Sequence, residues 1–383
     1  MSANTNITNW RDEGHNIWGF QNADKILKTT SIYPGPGSTK LESRAFDLGS
    51  FKLQLPDNTS LDLPAFLSQT ETDGLVILKD GVIVYEYYGR TNNERSVHAT
   101  FSISKSITGL LCGVLVEQGK LEPEDLVSSH VPEVKGSAYE SVTIRQLLDM
   151  RSGVKHDDGA PDYRDAMGFY PANPDESPTD LHSYISTIQS SPSRPVDGLD
   201  GPPYDYVSPN IDLLGWVIER ASGERLPELL GKYLWQPMGA ESSAHFIMDR
   251  NGNATAAAGI CATTRDLARV GQVLLQDGPG IVPKSWVQDM LQNGSQPAFA
   301  AGPEKGGFDP VFKSVAYRSC WFVDQDSQVM MASGIHGQIL LVDHRNGVVM
   351  AKTSSQPKRT VWEKIQLTIR AFWEFTRIIN SQY

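Results

Sequence analysis

The period of the apolar residues switches twice along this chain, and that double switch limits the fold more than any other feature. Between Gly74 and Gly89 two β-rich runs, Leu75–Leu78 and Val82–Tyr88, meet at Asp80-Gly81. Asp-Gly between two such runs predicts a hairpin, because both central residues of a type I′ turn need positive φ. From Ser102 the spacing becomes helical. Ile103, Ile107, Leu110, Leu111, Val114 and Leu115 recur at three- and four-residue steps towards Gly119, which puts one buried stripe on a helix. Helical patterns continue through Thr143–Met150, a segment opened by Ser208-Pro209 and stopped at Gly223, Asp266–Leu275 and Lys284–Leu291. Strand patterns return in Val315–Val323, Val329–Ala332, Gln338–Val342 and Val348–Thr353, before an amphipathic helix over about Thr360–Ile379. The order predicts an α/β protein of the α+β type. An antiparallel sheet, built from both ends of the chain and flanked by helices, would carry an inserted, mostly helical region.

Residues 1–60 have no strong periodicity and read as an N-terminal arm, with a turn cluster at Pro34-Gly35-Pro36-Gly37. Residues 61–383 read as one unit, with its sheet region at 61–100 plus 310–383 and its helical region at about 101–300. Gly153 to Tyr206 holds eight prolines and many Asp, Ser and Gly residues. A loop of that length in a compact domain is usually functional. Its Asp157, Asp158, Asp162 and Asp165 could favour a cationic substrate.

Composition removes several functions. The 383 residues carry 45 acidic against 34 basic side chains, a formal net charge of −11. Nucleic-acid binders need a basic footprint, so no nucleic-acid partner is expected. Cys112, Cys261 and Cys320 are too few and too far apart for a disulfide framework or a C-x-x-C site. The eight histidines are scattered without H-E-x-x-H, so neither a metal nor a cofactor is expected. The first residues lack the apolar core of a secretory signal. No window approaches the roughly 18 apolar residues that span a bilayer. The expectation is a cytoplasmic protein with no membrane partner.

Nucleophilic chemistry remains. Ser-x-x-Lys occurs at Ser102–Lys105, Ser152–Lys155 and Ser355–Lys358. Pro357 argues against a helix in the last window, and Gly153 marks the second as loop. Only Ser102 stands where an apolar helix begins. Residues three apart share a helix face, so the Lys105 amine can reach the Ser102 hydroxyl. Serine is a weak nucleophile and needs a base, and a lysine serves once its pKa falls. The helix N-terminus offers free N–H groups where an oxyanion would form. Against this stands an ordinary reading, Ser102 as N-cap and Lys105 as a solvated side chain. Tyr206-Val207-Ser208 precedes another helix. A phenol near a lysine can lose its proton more easily and act as base, or Tyr206 can simply pack while Ser208 caps. Ala332-Ser333-Gly334-Ile335-His336-Gly337-Gln338 lies between two strands, where glycines allow close backbone approach to a ligand.

At these three places the sequence resembles the serine β-lactamase and penicillin-binding-protein superfamily, whose pattern is S-x-x-K, then Y-x-N or Y-x-S, then a K-T-G-like strand. Within it the chain looks most like the 6-aminohexanoate-dimer hydrolases and class C β-lactamase-like esterases. The resemblance implies that Ser102 attacks a carbonyl, while Lys105 and Tyr206 move its proton and later activate water. It implies an oxyanion held by the N–H groups of Ser102 and Ile335, or of Gln338 if His336-Gly337 is the K-T-G counterpart. Gly334, Ser208 and Tyr163 would then border the substrate. Three positions depart from the pattern. Ala332 replaces the lysine of K-T-G, Ala160 replaces a loop tyrosine (Tyr163 is close by), and Ala257 replaces an asparagine. The implied function is hydrolysis of a small-molecule ester, amide or lactam. A transacylase with the same site and a non-catalytic binder of the same fold are the alternatives.

Overall fold

The computed structural model describes residues 4–171, 180–189, 196, 198–275 and 280–382. Thirteen strands occur among them: β1 (Thr29–Ile32), β2 (Leu53–Gln54), β3 (Ser60–Leu61), β4 (Thr72–Lys79), β5 (Val82–Tyr88), β6 (Val97–Ala99), β7 (Ala244–Ile247), β8 (Ile260–Thr263), β9 (Val315–Arg318), β10 (Trp321–Asp324), β11 (Val329–Gly334), β12 (Gln338–Asp343) and β13 (Val348–Ser354). The main sheet has the order β5-β4-β13-β12-β11-β10-β9, and every neighbouring pair is antiparallel. It is therefore closed from both ends of the chain, as the double switch in period predicts. A smaller sheet, β1-β7-β8-β6, joins the early residues to the middle of the chain.

Local chemistry explains the main elements. Asp80 and Gly81 have φ of 49° and 89°, the two positive values that an Asp-Gly hairpin turn demands. β4, β12 and β13 are buried along almost their whole length. Each has an apolar stretch, Leu75–Leu78, Ile339–Val342 and Val348–Ala351, because helices cover the sheet: Thr264–Leu275 packs against β4, β12 and β13, and Ile103–Glu117 against β11 and β12. Gly271 lets the first of these approach closely. A Cβ there would lie 2.5 Å from Val349 and 3.1 Å from Leu340. Thr143 caps the Ile144–Leu148 helix in a reciprocal capping box with Gln146. Pro209 opens the Pro209–Ser222 helix and Gly223, at φ 74°, ends it.

Two expectations need correction. The run Val315–Val323 is not one strand but the β9–β10 hairpin. Its turn residues Ser319 and Cys320 have φ of 48° and 70°. No glycine or asparagine announces that turn. Its donors are instead held by the Ile144–Leu148 helix end, with Ser319 N–H on Asp149 Oδ1 at 2.9 Å and Cys320 N–H on Leu148 O at 2.8 Å. The Gly153–Tyr206 stretch is not wholly irregular, for it contains the short helices Pro161–Ala166 and Leu181–Thr187. Residues 172–179, 190–195 and 197 of that stretch lie outside the described residues.

The early residues pack onto the body. Trp10 and Phe20 are fully buried in a cluster with Phe101, Tyr163 and Phe169. All three cysteines are free and buried. Among the described residues no helix is long and apolar enough to cross a membrane.

Candidate active site

Ser102 sits at the mouth of the Ile103–Glu117 helix. It occupies the N-cap position, yet its hydroxyl caps nothing. The cap reading is thereby excluded, and the Oγ is free for other partners. It finds two. Lys105 Nζ stands 3.0 Å away, and the Tyr206 side chain hydrogen-bonds it. Lys105 is not a solvated side chain but 1% exposed. Its amino group donates to the Ala257 carbonyl at 2.9 Å and lies 4.9 Å from the Tyr206 ring centroid.

Burial shifts the pKa of both neighbours. It lowers the Lys105 pKa from the usual lysine value, against the opposing pull of Asp158 and Asp212, and so favours the neutral amine. Burial raises the Tyr206 pKa well above the usual phenol value, with the Ser102 hydrogen bond opposing it. Burial thus works against the proton loss that the neighbouring lysine was expected to ease.

The residue before the nucleophile is strained. Phe101 has φ of 47°, a region that costs a bulky residue about 1–3 kcal/mol. Packing holds it there. Its ring stacks on Trp10 at 6.1 Å and meets Phe20 at 4.9 Å and His336 at 5.2 Å, edge-on and tilted. Sequence reasoning missed this buttress, since nothing in the pattern of residues 1–60 joins Trp10 to residue 101.

β11 brings the third motif to the same corner. A Cβ on Gly334 would lie 2.5 Å from Thr100 O and 3.2 Å from Ser102 N, so only glycine allows this approach. Ser333, Gly334 and Ile335 line the cleft in front of Ser102, together with Tyr163 and Ser208. His336 and Gln338 point elsewhere. His336 Nδ1 bonds Gln356 O at 2.7 Å. The Gln338 amide donates to Ser354 O at 2.7 Å and to Ile335 O and His336 O at 3.3 Å. These two side chains shape the turn from behind, and neither lines the cleft.

Tyr163 is 1% exposed and its hydroxyl donates to Asp212 Oδ2 at 2.6 Å. Asp212 also accepts from Ala257 N at 2.9 Å, and burial pushes its pKa up to about 6. Ser208 does not cap its helix; its N–H donates to Asp158 Oδ1 at 3.0 Å and its hydroxyl to Asp158 Oδ2. Of the four loop acids only Asp158 lines the cleft, where it is also 3.2 Å from His156 Nδ1. Asp165 is paired with Arg250. The acids thus do not form a patch facing the substrate, which corrects the suggested preference for a cation. The other Ser-x-x-Lys windows carry no such site: Ser152 bonds Asn210, and Ser355 bonds Asp73.

The cleft holds about 250 Å³. Three of its residues carried no signal in the sequence: Arg11, Glu304 and Arg359. Glu304 accepts from the Tyr204 hydroxyl at 2.7 Å, and burial pushes its carboxyl up to about 7.

The beta-lactamase family pattern matches residues 66–364. The chain belongs to that family. Its members are serine hydrolases, and this chain is an enzyme of that class. A 6-aminohexanoate-dimer hydrolase of Paenarthrobacter ureafaciens is 31% identical over 362 residues, covering 92% of this chain and 88% of that protein. A Bacillus anthracis structure to which the same hydrolase name is provisionally attached superposes with a TM-score of 0.88 at 22% identity, over 100% of this chain and 98% of the other. EstCE1, a hydrolase with promiscuous acyltransferase activity, superposes with a TM-score of 0.59 at 16% identity, over 81% of this chain and 98% of its own. These beta-lactamase-like structures share the mixed antiparallel fold. The departures at Ala332, Ala160 and Ala257 take on meaning here. At Ala257 the backbone alone bridges Lys105 and Asp212.

Proposed function

We propose that this beta-lactamase-family chain hydrolyses an ester, amide or lactam bond of a small molecule through an acyl-enzyme on Ser102. The observation that carries the reading is a serine hydroxyl that caps no helix and stands 3.0 Å from the buried Lys105 Nζ, with the Tyr206 ring beside that amine. Ser102 Oγ attacks the carbonyl carbon while its proton passes to neutral Lys105 Nζ, and the carbonyl π pair moves to oxygen. The N–H groups of Ser102 and Ile335 receive that oxyanion, a geometry supported by the close approach of Gly334. As the tetrahedral adduct collapses, the leaving group takes a proton from Tyr206, which Lys105 replaces. Water then repeats the sequence on the acyl-enzyme, with Lys105 as base, and releases the acid.

Residues 61–383 act as the catalytic unit, and the residues before them support it through Trp10 and Phe20. The relative from Paenarthrobacter is named for an amide, the 6-aminohexanoate dimer. Ala160 and Ala257 remove two side chains of that pattern, so the reading here is kept at small esters, amides and lactams. Three buried free thiols are compatible with a reducing compartment, and we take the protein to work in the cytoplasm. The test is hydrolysis of p-nitrophenyl butyrate and the matching anilide. Ser102→Ala should lose all turnover while keeping the wild-type circular dichroism. Full activity in that variant would remove Ser102 from the reaction.

A further inference from the structure

We propose that Lys352 is a positioning residue for the reaction: its buried amino group fixes the turn that carries the Ile335 N–H. The inference rests on the hydrolase reading for its effect on rate, while the hold on the turn itself can be tested without turnover.

Among the described residues only two lysines are buried, Lys105 and Lys352. The proposed reaction uses the first. The second stands on β13 and is 0% exposed. Its hydrogen-bond partners are all uncharged. It donates to Thr70 O and Gly337 O, each at 3.3 Å, and bonds the Ser354 hydroxyl. The Asp73 carboxylate, the acid that pulls on it most strongly, is already held by His98 Nε2 at 3.2 Å, by Arg90 at 3.2 Å and by the Ser355 hydroxyl. Burying an amine in this way is costly, and packing alone would be served by an apolar side chain of the same length. The reason for a lysine lies in what it holds.

It holds the turn Ile335–Gly337. His336 and Gly337 both have positive φ, 63° and 90°, and a Cβ on Gly337 would lie 2.5 Å from Gln356 Nε2. Such a turn persists only where its surroundings over-determine it. Here side chains hold all three of its carbonyls from behind. Gln338 Nε2 donates to Ile335 O and His336 O, both at 3.3 Å, and Lys352 takes Gly337 O. Both donors are anchored on β13. Lys352 belongs to that strand, and the Gln338 amide donates to Ser354 O at 2.7 Å and accepts the Ser354 N–H at 3.1 Å. Through Thr70 O, Lys352 also ties the turn to the end of the Leu63–Gln69 helix. β13 lies inside the main sheet, so the Ile335 N–H takes its place from a rigid element. A shift of the turn would carry this donor away from the oxyanion it is aimed at.

The hold does not depend on charge. Burial lowers the Lys352 pKa to about 7, with Asp73 and Glu71 opposing and Lys364 and Arg90 adding to the fall. The ammonium has one donor for each of Thr70 O, Gly337 O and Ser354 Oγ. The neutral amine keeps two donors for the carbonyls and accepts the Ser354 hydroxyl.

The experiment uses the full chain carrying Lys352→Met, which keeps the length of the side chain and removes its donors. Active sites are counted with a fluorophosphonate, and p-nitrophenyl butyrate gives kcat and KM. The kcat per titrated site should fall about tenfold or more, with KM within about twofold of wild type. The inhibition constant of a butyl trifluoromethyl ketone, whose hemiketal on Ser102 carries the oxyanion, should rise by a similar factor. A mere loss of folded protein would move neither the rate per site nor that constant. Wild-type values of both overturn the role. Where Lys352→Met does not fold, Lys352→Gln decides by the same readouts, because its shorter side chain cannot span Thr70 O and Gly337 O together. Hydrogen exchange of the peptide covering Gly334–Gln338 separates the two readings. If Ser102→Ala abolishes hydrolysis while Lys352→Met turns over and exchanges like wild type, the hydrolase stands and the positioning role falls. If the turn exchanges faster in Lys352→Met while Ser102→Ala hydrolyses normally, the hold on the turn stands and the proposed nucleophile falls.

Discussion

At the scale of single residues, desolvation sets the roles. In the proposed mechanism Lys105 is the base and Tyr206 the donor, in keeping with burial that disfavours an ammonium at one and a phenolate at the other. The same effect acts on Glu304, whose carboxyl titrates at about 7 in the fold against 4.5 as a free group. Between those two values the unfolded chain has released a proton that the folded chain keeps. The contribution of Glu304 to stability is therefore largest below pH 4.5 and is lost as pH rises to about 7. Its charge also changes beside Tyr206 and Lys105 over that range. The pH profile of kcat/KM should show an inflection near 7 that Glu304→Gln removes. An unchanged profile in that variant would take Glu304 out of the site's electrostatics. The Ser102–Lys105 pair was legible in the sequence because three-residue spacing on a helix is a local rule. Glu304, Arg11 and Arg359 were not, because long-range folding alone brings them to Ser102.

At the scale of elements, the site exists where the start of one helix meets the end of one strand. The Ile103–Glu117 helix presents Ser102, and β11 ends in Gly334 against the Ser102 backbone. The turn that follows is braced from behind by Gln338 and by the buried ammonium of Lys352, which donates to Gly337 O at 3.3 Å. On the far side the Thr264–Leu275 helix presses on the sheet through Gly271. Gly271→Ala would raise helix propensity by about 1 kcal/mol. It would also force a methyl to within 2.5 Å of Val349, and overpacking costs about 1–3 kcal/mol. The net effect should be a lowered urea midpoint. A midpoint equal to or above that of the wild type would mean that the helix shifts freely on the sheet. The periodic helices and the Asp-Gly hairpin were legible from sequence. The Ser319-Cys320 turn was not, because its positive φ values are stabilised by Asp149 and Leu148 from another part of the chain.

At the scale of the whole molecule, the residues ahead of the first long strand belong to the site. Trp10 is 1% exposed, donates its indole N–H to Phe169 O at 3.2 Å and stacks on the strained Phe101. Trp10→Ala should cost about 3–5 kcal/mol, seen in chemical denaturation, and should lower kcat more than a remote core truncation such as Phe372→Ala. Equal kcat in the two variants would reduce Trp10 to a packing role. The overall architecture was legible because the double switch in period recorded a sheet built from both chain ends. The aromatic buttress was not, because three clustered rings from distant segments leave no period.

The central claim is that Ser102 becomes acylated. Intact-mass spectrometry after reaction with a fluorophosphonate should show one adduct, mapped to the peptide containing Ser102. Ser102→Ala should show none, and Lys105→Met should label far more slowly. An adduct on another residue, or unchanged labelling of Ser102→Ala, would contradict the account.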